Sequence, residues 1–194
     1  MDALTKPGWI EVITGPMFAG KSEELIRRIK RLEYAKKNLL VFRPRIDNRY
    51  SLDEVVSHGN MRRKSIVIDK AKDILPYIKD DTYAVVIDEI QFLDAEIVIL
   101  CEHLANRGIR VIVGGLDCDF RGEPFFATSE LMARAEYITK LTAICVRCGS
   151  PATKTQRIVN GRPAHYQDPI VVVGAAEAYE PRCRHCHEVL GKAK

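Results

Sequence analysis

The chain has 194 residues, 46% of them hydrophobic and 29% charged, with a formal net charge of +4. That composition belongs to a folded chain with one ordinary core and a small appendage, and the charge is well short of the basicity that would by itself define a nucleic-acid binder. No apolar run approaches the roughly 20 residues of a membrane span, and the opening MDALTKPGW lacks the apolar centre of a secretory leader. The expectation is a cytoplasmic protein without a membrane or nucleic-acid partner.

Residues 9–13 (WIEVI) make a short apolar run, and from 21 to 37 the pattern turns helical, with Leu25, Ile29 and Leu32 at spacings of four and three. The run RRIKRLEYAKK fills the remaining positions and predicts a solvated helix face. Residues 39–42 (LLVF) read as the next strand, and the polar RPRIDNRYSLDE after them as a loop. Residues 66–68 predict a strand, 71–78 a helix and 84–87 a fully buried strand. Asp94 marks the start of a helix to about Asn106, Gly108 stops it, and 110–113 form another buried strand. Strands that are apolar throughout and alternate with helices predict a parallel sheet covered on both faces, so residues 1–143 read as an α/β domain. After Cys145 the chain turns to short β-type segments and a VNGR hairpin signal at 159–162, which predicts a smaller module over 144–194.

Gly15, Pro16, Met17, Phe18, Ala19, Gly20, Lys21 and Ser22 spell GPMFAGKS, a full match to GxxxxGK[ST] between a predicted strand and a predicted helix. Glycines let backbone N–H groups wrap phosphate oxygens, the lysine reaches the β and γ phosphates, and the hydroxyl ligates magnesium. The buried run VVIDEIQF then ends in two adjacent acids, Asp88 and Glu89. In phosphate-loop proteins an aspartate closing a later strand completes the magnesium shell, which assigns Asp88. Glu89 is left as a second magnesium acid, a base that activates water, or a base that takes a proton from a substrate hydroxyl.

CVRC (Cys145, Cys148) and CRHC (Cys183, Cys186) are two CxxC knuckles separated by 34 residues, enough for four thiolates around one structural Zn2+. His185 and His187 beside the second pair read as neighbours of the site rather than ligands, and Cys101 and Cys118 as small packed side chains. The stretch 153–179 between the knuckles reads as a long excursion with little structure of its own, tied at both ends, whose backbone could read the edge of a flat heterocycle.

Taken in order, GPMFAGKS, IDNRYS, DEIQF, LDCDFRGEPF, CVRC, IVVVGAAEAY and CRHC resemble the zinc-containing thymidine kinases of the cellular and bacterial type, over nearly the whole chain. The resemblance implies a P-loop (RecA-like) sheet with helices on both faces and a small zinc-bound β-rich lasso domain. It implies transfer of the γ-phosphate of ATP to the 5′-hydroxyl of thymidine, with Glu89 as general base and Asp88 and Ser22 on Mg2+. Arg49 and Gln91 match nucleotide-facing positions. Met17, Phe92, Leu116 and Phe120 match positions around the nucleoside, although apolar residues at these spacings also suit a core. Thr155, Ile170, Val171, Val172, Val173, Gly174 and Tyr179 match the lasso. A homotetramer and feedback inhibition by thymidine triphosphate (dTTP) follow from the same resemblance. The competing expectation is a nucleic-acid-dependent ATPase that grips DNA with its zinc knuckle, in which Glu89 would serve water.

Overall fold

A computed structural model of the chain describes residues 8–45, 54–56, 62–170 and 177–192. In chain order the strands are β1 (Trp9–Thr14), β2 (Leu39–Pro44), β3 (Glu54–Val56), β4 (Arg62–Lys64), β5 (Ile66–Ile68), β6 (Ala84–Ile87), β7 (Arg110–Gly115), β8 (Tyr137–Lys140), β9 (Ala143–Ile144), β10 (Pro151–Ala152), β11 (Lys154–Val159), β12 (Arg162–Pro163) and β13 (Glu177–Arg182). The α-helices are α1 (Lys21–Tyr34), α2 (Glu96–Asn106) and α3 (Phe126–Arg134), and a 3-10 helix spans Ala71–Tyr77.

Six strands form one sheet in the order β5-β2-β6-β7-β1-β8, every pair parallel. The four residues of β6 are completely buried, as a central strand covered on both faces must be. One face carries Ile10, Val12, Val85, Ile87, Val111 and Val113 against α2, α3 and the 3-10 helix. The other carries Ile13, Val41, Val86 and Ile112 against Leu25, Ile26, Ile29 and Leu32 of α1. Alternation along each strand thus feeds two apolar layers.

The helix predicted over 21–37 ends at Tyr34, where Ala35 and Lys36 turn the chain and Lys36 adopts φ 52°. Its basic face is not wholly solvated: Arg28 turns inward to Glu11 of β1 and bonds Glu24 and Thr139 as well. The helix predicted over 71–78 is a 3-10 turn. Asp94 does mark the start of α2, accepting from Glu96 N at 3.1 Å, and its second oxygen accepts from Ala71 N at 3.0 Å, so one carboxylate joins two elements. Of the polar loop predicted after residue 42, Arg43 and Pro44 extend β2, and its last residue, Glu54, opens β3, which pairs antiparallel with β4.

The C-terminal part contains a two-stranded sheet, β10-β9, and a three-stranded antiparallel sheet, β12-β11-β13. The VNGR signal is a two-residue hairpin: Val159 pairs with Arg162, and Asn160 and Gly161 take φ 50° and 75°, as a type I′ turn requires. The expectation of a structureless excursion over 153–179 is corrected here. Its beginning and end pair as β11 and β13 over six residues, so both arms belong to a sheet.

Candidate phosphate and nucleoside site

β1 is buried along its length because it lies between β7 and β8, and it delivers the chain to the loop at the carboxyl end of the sheet. The turn needs its glycines. Gly15 has φ 144°, and a Cβ there would stand 2.4 Å from Leu141 O; Gly20, at φ 83°, introduces α1. Phe18 also has positive φ, 66°, in a conformation uncommon for a bulky residue, and it stands exposed. Lys21 and Ser22 are the first two residues of α1, where N–H groups lack intrahelical partners and the dipole favours an anion. Lys21 Nζ donates to Pro16 O at 2.8 Å, keeping the ammonium over the loop.

The strand between the loop and the acids decides whether they can face each other. β7 separates β1 from β6, and it ends in Gly114 and Gly115. A Cβ on Gly114 would stand 3.1 Å from Asp88 Oδ1; one on Gly115 would stand 2.6 Å from Gln91 Oε1. The bare end of β7 gives both side chains their room. Asp88, 7% exposed, accepts from Glu89 N at 2.9 Å, and Glu89 takes φ 50°. That left-handed turn is uncommon outside glycine, and it aims successive side chains in different directions. Gln91, also buried, donates from Nε2 to Glu89 Oε2 and accepts at Oε1 from Leu116 N at 3.1 Å. The double glycine before LDCDF was visible in the sequence as a sign of close approach and went unread there.

Several of the residues expected around a nucleoside are brought together from separate parts of the chain. Met17 N of the phosphate loop donates to Thr155 Oγ1 of β11 at 3.0 Å. Arg157, two residues on and on the same strand face, is buried and sits 5.0 Å from the Phe120 ring centre. Tyr179 of β13 is its register partner. The Arg121 guanidinium lies 5.5 Å from the same ring and 5.1 Å from that of Tyr166. Arg121 and Arg157 also donate to Asp168 O and Pro169 O respectively. Neither arginine was singled out in the sequence, because a basic residue in a turn, as Arg121, or in a short β segment, as Arg157, reads as exposed. Leu116 and Phe120 are buried, Phe92 and Met17 half-buried, and Ile170 exposed. Arg49, Val171, Val172, Val173 and Gly174 lie outside the described residues.

The loop after β7 is rigid by its own hydrogen bonds. Asp119 Oδ1 accepts from Arg121 N and Glu123 N, and Asp117 pairs with Lys140 Nζ at 2.9 Å, which raises the lysine's pKa. His187 is bonded through Nε2 to Phe120 O at 2.9 Å, so it braces this loop. Burial pushes its pKa down and keeps the ring neutral. His185 is exposed. Cys101 is fully buried, and burial pushes its thiol up to about 12; Cys118 is half-buried, with its pKa raised by the same cause.

The Sγ atoms of Cys145, Cys148, Cys183 and Cys186 all lie within 4.8 Å of one another, and Cys148 and Cys183 are 3.6 Å apart. Tetrahedral zinc with bonds of about 2.3 Å places its sulfurs about 3.8 Å apart, so the donor set fits that ion. The two CxxC turns present backbone N–H groups to the sulfurs. Burial opposes ionisation of Cys145, but N–H groups of Cys183, Arg147 and Cys148 bring its thiol down to about 6. Cys145 and Cys183 also pack with Ala143 and Ala152, and Ala19 of the phosphate loop lies against this small core.

The parallel sheet, the glycine loop opening a helix and the acid at the end of β6 define a P-loop nucleotide-binding α/β protein, here carrying a four-cysteine centre. The sequence matches the family model described as thymidine kinase over residues 8–187, and the chain belongs to that family. Among solved structures it is similar to a Pif1 helicase from Candida albicans, at 17% identity and a TM-score of 0.44. That likeness covers 76% of this chain and 39% of the helicase. Among the described residues, no helix is long and apolar enough to cross a membrane.

Proposed function

We propose that the chain is an ATP-dependent thymidine kinase that transfers the γ-phosphate of ATP to the 5′-hydroxyl of thymidine, giving thymidine monophosphate for DNA precursor synthesis. The observation that carries this reading is the pair Asp88–Glu89: two adjacent carboxylates, turned apart by a left-handed residue, beside a strand end stripped of side chains. Phosphoryl transfer to a hydroxyl asks for two acids with different tasks, one for the metal and one for the proton.

In this reading Gly15 to Ser22 cradle the phosphates, and Lys21 neutralises the charge that spreads over the transferring group. Asp88 and Ser22 offer hard oxygen donors suited to Mg2+, which when bound would supply positive charge to stabilise the transferring phosphate. Glu89 takes the proton of the 5′-hydroxyl as that oxygen attacks, a contribution of typically 10² to 10⁴ in rate. Arg49 serves the nucleotide side, while Met17, Phe92, Leu116 and Phe120 surround the thymine and sugar. Thr155, Ile170 to Gly174 and Tyr179 complete the nucleoside side. Residues 1–143 then handle ATP and supply one wall of the nucleoside site, and 144–194, around structural Zn2+, supply the other. The working form is a cytoplasmic homotetramer inhibited by dTTP, and a light-scattering mass of four chains checks the assembly. The substrate is tested by offering thymidine, deoxyuridine and deoxycytidine with ATP: thymidine has the highest kcat/KM, and equal use of deoxycytidine contradicts the reading.

A further inference from the structure

Glu89 is expected to work at one geometry, yet it stands outside any α-helix or strand, on a single left-handed residue between β6 and a three-residue 3-10 turn. A misplacement of about 1 Å at a reacting group can cost on the order of 10²-fold in rate, so something has to fix this carboxylate. The buried amide of Gln91 meets that need. Its Oε1 accepts from Leu116 N, a backbone donor just beyond β7. An amide whose oxygen is committed to an N–H donor must present its NH2 at the opposite corner. That NH2 donates to Glu89 Oε2. The orientation of the amide is therefore set by the backbone, and it suits only an acceptor at position 89.

Two more observations make this seat specific. Gln91 is 8% exposed, so its amide is committed to protein partners rather than water. The strand beneath it carries a glycine where any Cβ would stand 2.6 Å from Gln91 Oε1 and 2.7 Å from Ile90 Cγ2. Gly115 leaves room for the amide and the 3-10 turn together. Leu116 itself is one of the residues expected beside the nucleoside, so the backbone that orients the amide also carries a wall of that site.

We propose that Gln91 is the positioning residue for Glu89, an amide strut that ties the base to the end of β7 and keeps it in register with the nucleoside wall at Leu116. This rests on the kinase reading and deepens it, and it assigns Gln91 to the base rather than to the nucleotide. Its action runs through Glu89 alone, which gives it a signature that packing would not produce.

The test is a double-variant cycle on the full chain with its zinc, following labelled phosphate from ATP into thymidine. Gln91→Leu, close in size and without the amide, lowers kcat about 10- to 100-fold and leaves the KM for ATP near that of the wild type. In a Glu89→Gln background the same substitution costs less than about 2-fold further, because the group it positions is already gone. Losses that multiply in the double variant, or a raised KM for ATP with kcat kept, overturn the inference while leaving the kinase reading standing. A wild-type chain that makes no thymidine monophosphate overturns both. Thermal midpoints of the four proteins separate a folding defect from the kinetic effect: a midpoint for Gln91→Leu well below that of Glu89→Gln assigns Gln91 to packing and sinks the strut.

Discussion

Glu89 shows how much one residue's backbone conformation can decide. Asp88 continues β6 and points where the strand alternation sends it; Glu89, at φ 50°, leaves that alternation. The left-handed residue ends the strand's period of two at Asp88, so the direction of the second carboxylate is set by the turn. Glu89→Gln keeps the size and the turn while removing the basic oxygen. It is expected to lower kcat by about 10² to 10⁴ with ATP binding retained, as read by titration of a fluorescent ATP analogue. Turnover within a few-fold of the wild type would remove Glu89 as the base. At this scale the sequence was informative about identity and silent about direction: GPMFAGKS and DEIQF announced their chemistry, whereas the hydrogen bonds of Gln91 and Arg121 and the buried seat of Arg157 depend on partners far away in the chain.

Elements that were legible are those whose signal is an apolar run or a strong helical period. β1, β2, β6 and β7 are buried strands, and α1 has a continuous apolar stripe. α3 and β8 were not foreseen. α3 has nine residues and no side-chain cap, and β8 lies at the sheet edge with Tyr137 and Ile138 exposed, so neither carries a periodic signature. The long stretch between the knuckles read as having little structure because β11 contains Lys154, Gln156 and Arg157, and the burial of the last two comes from tertiary partners.

The four-cysteine centre joins the loop and the sheet at this same scale. Its core lies against Ala19, and β11 bonds Met17 N through Thr155. Cys183→Ser is expected to abolish zinc retention and raise the KM for thymidine at a temperature where α1 and the parallel sheet still give native circular dichroism. Full zinc content in that variant would show that the ligand set is wrong.

The anchoring of α1 has a pH signature. Hydrogen bonding from Arg27, joined by Arg28, holds Glu24 at about 2 against an ordinary 4.5. Burial pushes Glu11 up, but hydrogen bonds from Arg110 and Trp9 and the charges of Arg110 and Arg28 bring it below its ordinary value. A carboxylate depressed on folding adds stability that is complete above its unfolded pKa and is lost as pH falls through the folded one. The thermal midpoint of the wild type should therefore exceed that of Glu24→Gln near pH 6, and the gap should close as pH falls from 4.5 toward about 2. A gap unchanged over that range would mean that the ion pairs do not hold the helix.

Over the whole molecule, the sheet brings a phosphate loop and a pair of acids to one edge, and β11 and the four-cysteine core meet the loop there from the far end of the chain. Phe120 collects contacts from its neighbour Arg121 and from two distant segments, Arg157 of β11 and His187 just past the last cysteine. A motor that hydrolyses ATP would need the acids and the loop but gives no reason for β11 to bond that loop. The measurement that decides this is magnesium-dependent transfer of label from γ-labelled ATP, with thymidine, with water alone and with single-stranded DNA. The account predicts label in thymidine monophosphate, with little phosphate released when thymidine is absent. Label found only as inorganic phosphate, indifferent to thymidine and increased by DNA, would contradict it.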